Sequence, residues 1–405
     1  MKITECPITS SKQRFTFLDL GNIPLVNNLL ESKEESLQCE KFPLAVQYFS
    51  ESKVTCLTET VTKDSLFLNY LYRSRVNYPF LVHCSKMYAY LADMVDLKDN
   101  DLIIDVGGND GSLLYEFEKE NPNLRLLNVD ASESFKEENE EKGFMYVNAF
   151  FGDKCRWEPE QKAKIIISTN VFQHTFPIRE FVQDIYYHLA HEGVWCLEFP
   201  YVLTTLAKNN YDQIYHEHVY YYCLKNIVDL LDQEGMRVIN VSYHDMHAGT
   251  LRVISCKKPS KRQPDSTINS FLNLEASLTA RYTIDWGIQT QKKIKTFEKF
   301  IKDKKEQGFS IAAFGAAAKG CIFLNTCNLD HNHIDYIIDD TKFKQGKFVP
   351  GTGIEIISRE TFFEKPLPDF ILILAHNFKD YIIKSFENTG FKGKFIIMFP
   401  DIQII

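Results

Sequence analysis

The sequence predicts an α/β protein built around two doubly wound parallel sheets, with a small lobe in front of the first. Short apolar runs alternate with helix-sized spacers over residues 80–255, and the same rhythm returns from residue 309 onward. Continuous apolar runs of this kind are typical of strands buried on both faces of a parallel sheet. At 405 residues the chain is also too long for one compact core, so we expect more than one domain.

The elements follow in order along the chain. Residues 1–75 are irregular, with apolar stretches between charge clusters, and we assign them to the small N-terminal lobe. Residues 76–258 form the first α/β domain, with strands expected at 102–108, 124–130, 163–170, 193–200 and 251–256. Residues 259–307 have apolar positions at helical spacing and form a connector. Residues 308–405 form the second α/β domain, with strands expected at 309–315, 334–340, 369–375 and 393–399.

Composition and charge argue against several classes of protein. The net charge of −8 speaks against a nucleic-acid-binding surface. No apolar run approaches the roughly 20 residues that a membrane span needs, and the first residues lack the apolar segment of a secretory signal. The ten cysteines follow no regular spacing, which indicates reduced thiols. We therefore expect a cytoplasmic protein, a monomer or small homo-oligomer, that binds neither nucleic acid nor membrane.

A glycine-rich turn, "DVGGNDGSLL", follows the first expected strand of the first α/β domain. Gly107 and Gly111 allow positive φ and close approach of a ligand to the backbone. A dinucleotide site would have the sequence G-x-G-x-x-G. Here Asp105 stands near the end of the strand instead, and Asn109 lies between the glycines. A carboxylate at that point repels a diphosphate and suits a cationic amine. The turn therefore favours S-adenosylmethionine, which carries an ammonium and a sulfonium.

Two more polar residues follow the neighbouring strands. Asp130 ends the second expected strand, where a carboxylate can accept both ribose hydroxyls, and Asn170 follows the third. Ligands of open α/β folds bind at this carboxyl edge of the sheet. A glycine-rich turn alone is a weak signal, but the whole constellation favours a methyltransferase over a dehydrogenase.

The second α/β domain has its own turn, "FGAAAKGCIFLN". Gly315 and Gly320 resemble a dinucleotide turn, and Asp339 and Asp340 end the next strand. Lys319 adds a positive charge that suits a diphosphate. We expect a diphosphate group here, from NAD or from a nucleotide-activated substrate. The alternative is a turn that only packs a helix onto the sheet.

The stretch "YDQIYHEHVYYY" (211–222) concentrates histidines among tyrosines. His216 and His218 would share a face of a strand and could bind a metal, whereas on a helix Tyr215 would meet His218. No third ligand cluster is in view, so the metal interpretation is weak. A packed aromatic surface is the other alternative.

Taken together, these motifs resemble the sugar C-methyltransferase family, which uses S-adenosylmethionine to methylate nucleotide-linked 4-keto-deoxysugars. The motifs run in order over nearly the whole chain: "LDLGNIPLVNNLL", "LNYLYRSRVNYPFLVH", "DVGGNDGSLL", "NVFQH", "EFPYV", "YDQIYHEHVYYY", "HAGTLRV", "FGAAAKGCIFLN" and "DDTKFKQGKFVPGTGIEI". The resemblance implies a small N-terminal lobe, a Rossmann-like class I methyltransferase domain and, after the helical connector, a second Rossmann-like domain that contributes to a nucleotide-sugar site.

The family's N-terminal lobe normally holds a zinc on two C-x-x-C pairs, and this sequence departs from that pattern. Thr9 stands where Cys6 would have its partner, and Cys56 and Cys39 are isolated. Structural zinc needs four ligands. We therefore expect neither zinc in the lobe nor a metal in the site.

The chemistry and the resemblance together suggest the catalytic residues. Methylation of carbon needs a carbon nucleophile, which a base can generate as an enolate next to a ketone. We expect His218 to be that base because imidazole titrates near neutral pH, although Tyr215 is an open alternative. Glu217 would orient a histidine or bind the sugar, and His174 would stabilise the enolate oxygen. The resemblance implies that Tyr72 caps the pocket.

Further residues would bind the substrate. Glu198 and Tyr201 are expected beside the same cleft, at a strand end, and the resemblance extends substrate binding to Gly315, Lys319, Asn325 and Lys344. Three alternatives stay open: an NAD-dependent nucleotide-sugar oxidoreductase, an O- or N-methyltransferase of a nucleotide sugar, and a non-catalytic relative that binds a nucleotide sugar.

Overall fold

The structure is a computed structural model, and it describes residues 1–67, 73–76, 78–152, 161–246 and 249–405. Three sheets organise this part of the chain, joined by helices that cover the two larger sheets. None of the described helices has the length and apolar character needed to cross a membrane.

Strands and helices alternate along most of the described chain. The strands are β1 (Arg14–Pro24), β2 (Lys41–Phe49), β3 (Thr55–Leu57), β4 (Leu102–Val106), β5 (Arg125–Asp130), β6 (Met145–Asn148), β7 (Ala163–Thr169), β8 (Leu189–Pro200), β9 (Tyr220–Tyr221), β10 (Met236–His244), β11 (Thr250–Lys257), β12 (Ile311–Phe314), β13 (Ile337–Ile338), β14 (Phe348–Val349), β15 (Ile354–Ile357), β16 (Phe370–Ile373), β17 (Lys394–Ile397) and β18 (Gln403–Ile404). The α-helices are α1 (Lys33–Gln38), α2 (Lys63–Phe67), α3 (Tyr78–Met94), α4 (Ser112–Glu120), α5 (Lys136–Glu141), α6 (Ile178–His188), α7 (Val202–Ala207), α8 (Leu224–Gln233), α9 (Thr267–Leu274), α10 (Ala280–Glu306), α11 (Ala318–Thr326), α12 (Arg359–Glu364) and α13 (Lys379–Ser385). Short 3-10 helices lie at Ser74–Val76, Glu133–Phe135, Phe172–His174, Tyr211–Gln213, Glu275–Ser277, Lys342–Lys344 and His376–Phe378.

The N-terminal lobe is more regular than its sequence suggests. It contains an antiparallel sheet in the order β1-β2-β3-β9. Its last strand comes from the tyrosine-rich motif, because Tyr221 pairs with Thr55 and Tyr220 with Cys56. Register shifts in β1 break its alternation of apolar and polar residues, which explains why the sequence looks irregular here. The lobe is therefore joined directly to the segment that carries the histidines.

The central sheet has the order β10-β11-β8-β7-β4-β5-β6 in the described residues. Its strands run parallel, except that β11 is antiparallel to both of its neighbours. The sequence wrongly placed β11 among the parallel strands, because a continuous apolar run reports burial on both faces and not direction. The order beginning β6-β5-β4-β7-β8 is doubly wound, and it confirms the predicted Rossmann-like fold of this domain.

The C-terminal sheet repeats this plan. Its order is β14-β15-β13-β12-β16-β17-β18 within the described chain, with a parallel centre and antiparallel edges. The strand order reverses between β13 and β16 around β12, as it reverses around β4 in the central sheet. Ligands of open α/β sheets bind at such reversals, so each domain has one natural binding crevice.

The helical connector packs against the rest of the molecule. Its long helix α10 begins at an N-cap, Thr279, whose side chain accepts from the Tyr282 amide. At Gly287 a Cβ would lie 1.8 Å from the Phe17 carbonyl oxygen, so only glycine allows the helix to approach β1 this closely. Trp286 donates to the Leu206 carbonyl at 2.9 Å. The connector thus ties the lobe to the central domain.

Candidate active site

A large cavity of about 1450 Å³ opens where the lobe and the two α/β domains meet. The crevices at both strand-order reversals open into it. Its polar lining includes Asn27, Asn28, Asp105, Asn109, Asp130, Asn170, Gln173, His174, Gln213, Tyr215, Glu217, His218, Lys319, Lys344 and His376. The structure therefore brings most of the predicted catalytic and donor-binding residues to one place.

The turn after β4 presents a buried carboxylate. Asp105 is 2% exposed, and its Oδ1 has no hydrogen-bond partner among the described residues. Burial raises its pKa well above the ordinary value, and the carboxylates of Asp130 and Asp110 add to the effect. An unsatisfied carboxyl oxygen beside two further carboxylates favours a cation, which fits the ammonium and sulfonium of S-adenosylmethionine.

The glycines of this turn are required by its backbone and its packing. Gly107 has a φ of +67°, and a Cβ on Gly108 would lie 2.6 Å from Asn128 Oδ1 and 2.8 Å from Asp105 Oδ2. A side chain at position 108 would therefore collide with these two residues, and both glycines line the cavity with their backbone. Gly111, with a φ of +73°, is the N-cap of α4 and does not belong to the described cavity lining.

The other predicted donor residues lie along the same edge. Asp130 accepts the Asn109 amide at 3.0 Å through Oδ2 and the Ser132 amide at 2.9 Å through Oδ1. Asn109 and Asn170 both have positive φ, 53° and 55°. Each Asp130 oxygen keeps a lone pair for a further donor, as the predicted ribose contact requires. The donor set of the turn thus fits the predicted cofactor.

Tyr215 and His218 form a hydrogen-bonded pair in the cavity. The Tyr215 hydroxyl lies 2.7 Å from His218 Nε2, and His218 Nδ1 lies 2.8 Å from the Gln213 carbonyl oxygen. A carbonyl only accepts, so Nδ1 carries a proton and the neutral ring offers its Nε2 lone pair to the tyrosine. This arrangement suits proton abstraction, because the ring is fixed and its basic nitrogen faces a hydroxyl.

His174 and Glu217 flank this pair. The rings of His174 and His218 lie 5.1 Å apart, and His174 Nδ1 donates to the Glu217 carbonyl at 2.5 Å. Burial lowers the pKa of His174 to about 4, so the ring is neutral, and its Nδ1–H is the group that holds the Glu217 backbone. Burial also raises the pKa of Glu217 to about 7, and Asn27 of the lobe donates to its Oε1 at 2.6 Å. Glu217 can therefore change its charge near neutral pH.

His216 points away from this group. Its Nε2 lies 3.3 Å from the Phe42 carbonyl oxygen in the lobe, and burial lowers its pKa. His216 and His218 thus do not converge on one point, as the spacing on a strand would have allowed. Within the described ranges, no three His, Cys, Asp or Glu side chains form a group that could hold a metal ion.

Two predicted substrate residues are engaged elsewhere. Glu198 is buried and binds His83 at 2.8 Å and Arg252 at 2.7 Å, whereas the Tyr201 hydroxyl donates to Glu275 at 3.0 Å. Neither is among the described residues that line the cavity. Both side chains thus make their polar contacts within the protein.

Tyr72, the predicted cap, lies outside the described residues. Gly315 and Asn325 do not line the cavity in the described chain, although the residues that follow Gly315 do. The Asn325 amide donates to the Pro350 carbonyl at 3.0 Å and to the Cys321 carbonyl at 2.9 Å. Its contacts are therefore within the C-terminal domain.

The second turn presents lysines to the cavity. Lys344 Nζ donates to the Ala316 carbonyl at 2.9 Å and lies 3.5 Å from Asp339, which accepts the Ala316 amide at 2.8 Å. Asp340 pairs with Arg359 at 2.8 Å. Both carboxylates that a dinucleotide ribose would need are thus engaged by the protein itself.

Sequence reasoning missed several residues of this site. Asn27 and Gln213 both stand in motifs quoted from the sequence. The Asn27 contact with Glu217 joins segments 190 residues apart, whereas the Gln213 carbonyl contacts His218 within the same motif. Asp212 and His376 also meet, with 3.4 Å between Asp212 Oδ2 and His376 Nδ1. A signal was present for His376 alone, which follows the expected strand 369–375 at the carboxyl edge of the sheet.

Two family models match the chain. Residues 82–241 match the methyltransferase domain, and residues 245–400 match the C-methyltransferase C-terminal domain. The C-methyltransferase NovU of Streptomyces niveus is 27% identical over 412 aligned positions, which include 100% of this chain and 97% of that protein. The similarity thus extends through the lobe, both domains and the connector.

Solved methyltransferase structures resemble less than half of the chain. The magnesium protoporphyrin IX methyltransferase of Synechocystis PCC 6803 has a TM-score of 0.36 at 13% identity, with 45% of this chain and 87% of that chain covered. An S-adenosylmethionine-dependent methyltransferase of Clostridium acetobutylicum has a TM-score of 0.35 at 11% identity, with 44% and 92% covered.

Proposed function

Because the chain belongs to the C-methyltransferase family and depends on S-adenosylmethionine, we propose that it methylates the carbon next to the ketone of a nucleotide-linked 4-keto-deoxysugar. One observation carries the proposal. The Tyr215–His218 pair lies in the same cavity as the Asp105 turn, with its basic nitrogen held by a hydroxyl at 2.7 Å. A base beside a cation-binding turn supports methyl transfer to a carbon acid.

In the proposed reaction the base removes the proton on the carbon next to the ketone. The C–H electrons form the enolate, with charge on the ketone oxygen, and the proton ends on His218 Nε2, directly or through Tyr215. The Gln213 carbonyl then holds the Nδ1–H of the imidazolium. The enolate carbon forms the new C–C bond.

S-adenosylmethionine supplies an electrophilic methyl group and leaves as a neutral thioether. Asp105 would balance the positive charge of the bound donor, and Asp130 would hold its ribose. Deep burial of Asp105 makes this contribution strong, because water does not screen the charge there. The same residues favour a cation over the diphosphate of NAD.

Glu217 and Asn27 are proposed to recognise the sugar. Glu217 lines the cavity with a pKa of about 7, raised by burial, so it can accept from a hydroxyl or pair with an amino group. Its partner Asn27 comes from the N-terminal lobe. This contact gives the lobe a direct part in the site.

Deuterium exchange tests the proposed carbon acid chemistry without methyl transfer. The protein, saturated with S-adenosylhomocysteine in D₂O, is incubated with nucleotide diphosphate-linked 4-keto-deoxysugars, and mass spectrometry follows the carbon-bound deuterium. We expect exchange by the wild type and a loss of about 10²- to 10⁴-fold in His218→Asn. An O- or N-methyltransferase would methylate a substrate of the panel without exchanging its carbon-bound proton, and that result would overturn the proposal.

Matched variants distinguish the loss of the general base from a nonspecific disturbance of the structure. His216→Asn removes the neighbouring buried imidazole outside the described cavity lining, so exchange should persist. Tyr215→Phe should stop exchange if the proton passes through the hydroxyl and preserve most of it if His218 acts directly. Tyr220→Phe is the control for the tyrosine, because the buried Tyr220 hydroxyl has no hydrogen-bond partner in the described structure.

A further inference from the structure

A second cluster of buried polar groups lies at the C-terminal domain's side of the cavity. Asp212 belongs to the 3-10 helix Tyr211–Gln213, Lys319 to the first turn of α11, and His376 follows β16. The Lys319 Nζ, the Asp212 Oδ1 and both ring nitrogens of His376 are buried without a hydrogen-bond partner among the described residues. Asp212 and His376 are 1% and 10% exposed at their side chains.

The cluster stands at the strand-order reversal of the C-terminal sheet. Lys319 follows β12 and His376 follows β16, which are the two strands on either side of that crevice. The amides of the first turn of the nine-residue helix α11 are open to a ligand there. Fold position, helix terminus and unsatisfied side chains thus coincide.

The charge of this half of the cavity selects an anion. The described lining residues after position 308 include Lys319, Lys344, Lys379 and His376, and no carboxylate. A buried ammonium without acceptors is unfavourable. A phosphate group would supply the missing acceptors, and the one carboxylate in the cluster, Asp212, comes from the central domain.

We propose that Asp212, Lys319 and His376 form the site for the diphosphate of the substrate, with Asp212 as the positioning residue. This inference rests on the proposed function, which supplies a nucleotide-linked substrate. Lys319 and His376 Nε2–H donate to phosphate oxygens, and Asp212 accepts from His376 Nδ1–H across the present 3.4 Å contact. His376 takes up one proton from solvent when the dianion binds.

The surroundings of His376 agree with this proton uptake. Burial lowers its pKa; Asp212 opposes that effect, whereas Lys319 and Lys379 add to it. The Phe399 ring lies against the imidazole, 4.7 Å between centroids. The ring is therefore neutral without a ligand, and a dianion would reverse the balance by raising its pKa.

Two rings on the same rim suit the base of a nucleotide. Phe343 and Phe378 line the cavity, and each is 46% exposed. Exposed aromatic faces bind nucleobases by stacking. The cluster thus has an apolar neighbour on which a nucleoside, and not phosphate alone, can rest.

Asp212 also connects the diphosphate site to His218, the proposed general base. The next residue, Gln213, holds His218 Nδ1 through its carbonyl oxygen at 2.8 Å. Both residues belong to one 3-10 helix, so a shift of Asp212 displaces the carbonyl that orients His218. Diphosphate binding would therefore align the catalytic histidine.

Calorimetry with uridine, thymidine, guanosine and cytidine diphosphates tests the assignment. Titrations in buffers of different ionisation enthalpy give both affinity and proton uptake. We expect at least one of the four to bind the wild type with proton uptake, and His376→Gln to bind it about tenfold to hundredfold more weakly without uptake. Lys319→Met should lose affinity similarly, and S-adenosylhomocysteine binding shows that each variant is folded.

A second histidine–aspartate pair provides the control. His333 lies 2.7 Å from Asp330 in the same domain, outside the described lining, and His333→Gln should bind like the wild type. Wild-type affinity in both His376→Gln and Lys319→Met would refute the assignment of the diphosphate site and leave the proposed function intact. If no nucleoside diphosphate binds while nucleotide-linked ketosugars are methylated, only the assignment of the diphosphate site is refuted. If neither occurs, both proposals fall.

Discussion

Asp105→Asn should stabilise the protein without ligands and weaken its binding of the methyl donor. The wild-type carboxylate is buried with Oδ1 unpartnered in the described structure, beside Asp110 and Asp130. Each unit by which burial and neighbouring carboxylates raise a pKa corresponds to about 1.4 kcal/mol of destabilisation once the pH exceeds the folded pKa, and a neutral amide of the same shape avoids this cost. The amide should therefore raise the free energy of unfolding by about 1–2 kcal/mol, seen as a higher melting temperature in calorimetry without ligand.

The effect on binding has the opposite sign. A hydrogen bond to a charged group contributes about 1.5–3 kcal/mol, so the variant should bind S-adenosylmethionine about tenfold to hundredfold more weakly. Isothermal titration measures this directly. Opposite changes in stability and affinity are expected where a fold holds a charge ready for a ligand.

The pH dependence of stability provides an internal check. Because burial raises the pKa of Asp105 in the folded protein, the carboxyl contributes most to stability below its unfolded pKa. That contribution is lost as the pH rises through the folded pKa. The advantage of Asp105→Asn over the wild type should therefore be small in acid and grow with pH.

Asp110→Asn is the matched control in the same turn. Asp110 Oδ1 accepts the Ser112 amide at 3.2 Å and its hydroxyl at 2.5 Å, and Oδ2 accepts the Arg75 amide at 2.9 Å. An asparagine has one acceptor oxygen, so this variant should lose stability. The reasoning is refuted if Asp105→Asn melts lower than the wild type or binds the donor unchanged.

Two further predictions concern buried carboxylates. The pH profile of kcat/KM should have a limb near pH 7, where Glu217 titrates, and Glu217→Gln should lack this limb. In Asn27→Leu the limb should move to higher pH, because the Asn27 amide stabilises the charged form of Glu217. Glu198→Gln should lower the free energy of unfolding by about 3–5 kcal/mol, since it leaves Arg252 buried and unpaired beside His83. An unchanged melting temperature with a raised KM would instead support the predicted substrate contact of Glu198.

The strands that the sequence revealed are those buried on both faces. β4, β7 and β16 read as continuous apolar runs because both of their faces are covered by helices. β6 escaped notice because none of its four residues is fully buried, and β9 because its two residues stand inside the tyrosine-rich motif. The direction of β11 was unreadable for a different reason: apolar residues carry no information about strand polarity.

Site prediction divided along similar lines. The shared position of Asp105 and Asp130 was predictable because the ends of neighbouring parallel strands meet at one edge. Glu198 also lies near the end of a strand, but its carboxylate pairs with the buried Arg252 outside the described cavity lining, and a sequence does not show which way such a residue points. The contact of Asn27 with Glu217 spans 190 residues and depends on how the lobe docks, which no local pattern encodes.

The two ends of the cavity carry opposite charge, and this orders its ligands. Asp105 and Asp130 line the end at β4 and β5, whereas Lys319 and Lys344 line the end in the C-terminal domain. In a buried cleft such charges are poorly screened, so a cationic donor and an anionic diphosphate each find only one favourable end. The proposed substrate, held by its diphosphate at one end, would extend its sugar toward the donor at the other. His218 lines the same cavity, and both of its ring nitrogens have partners in the protein, the Gln213 carbonyl at 2.8 Å and the Tyr215 hydroxyl at 2.7 Å, so the ring is already oriented when the sugar arrives.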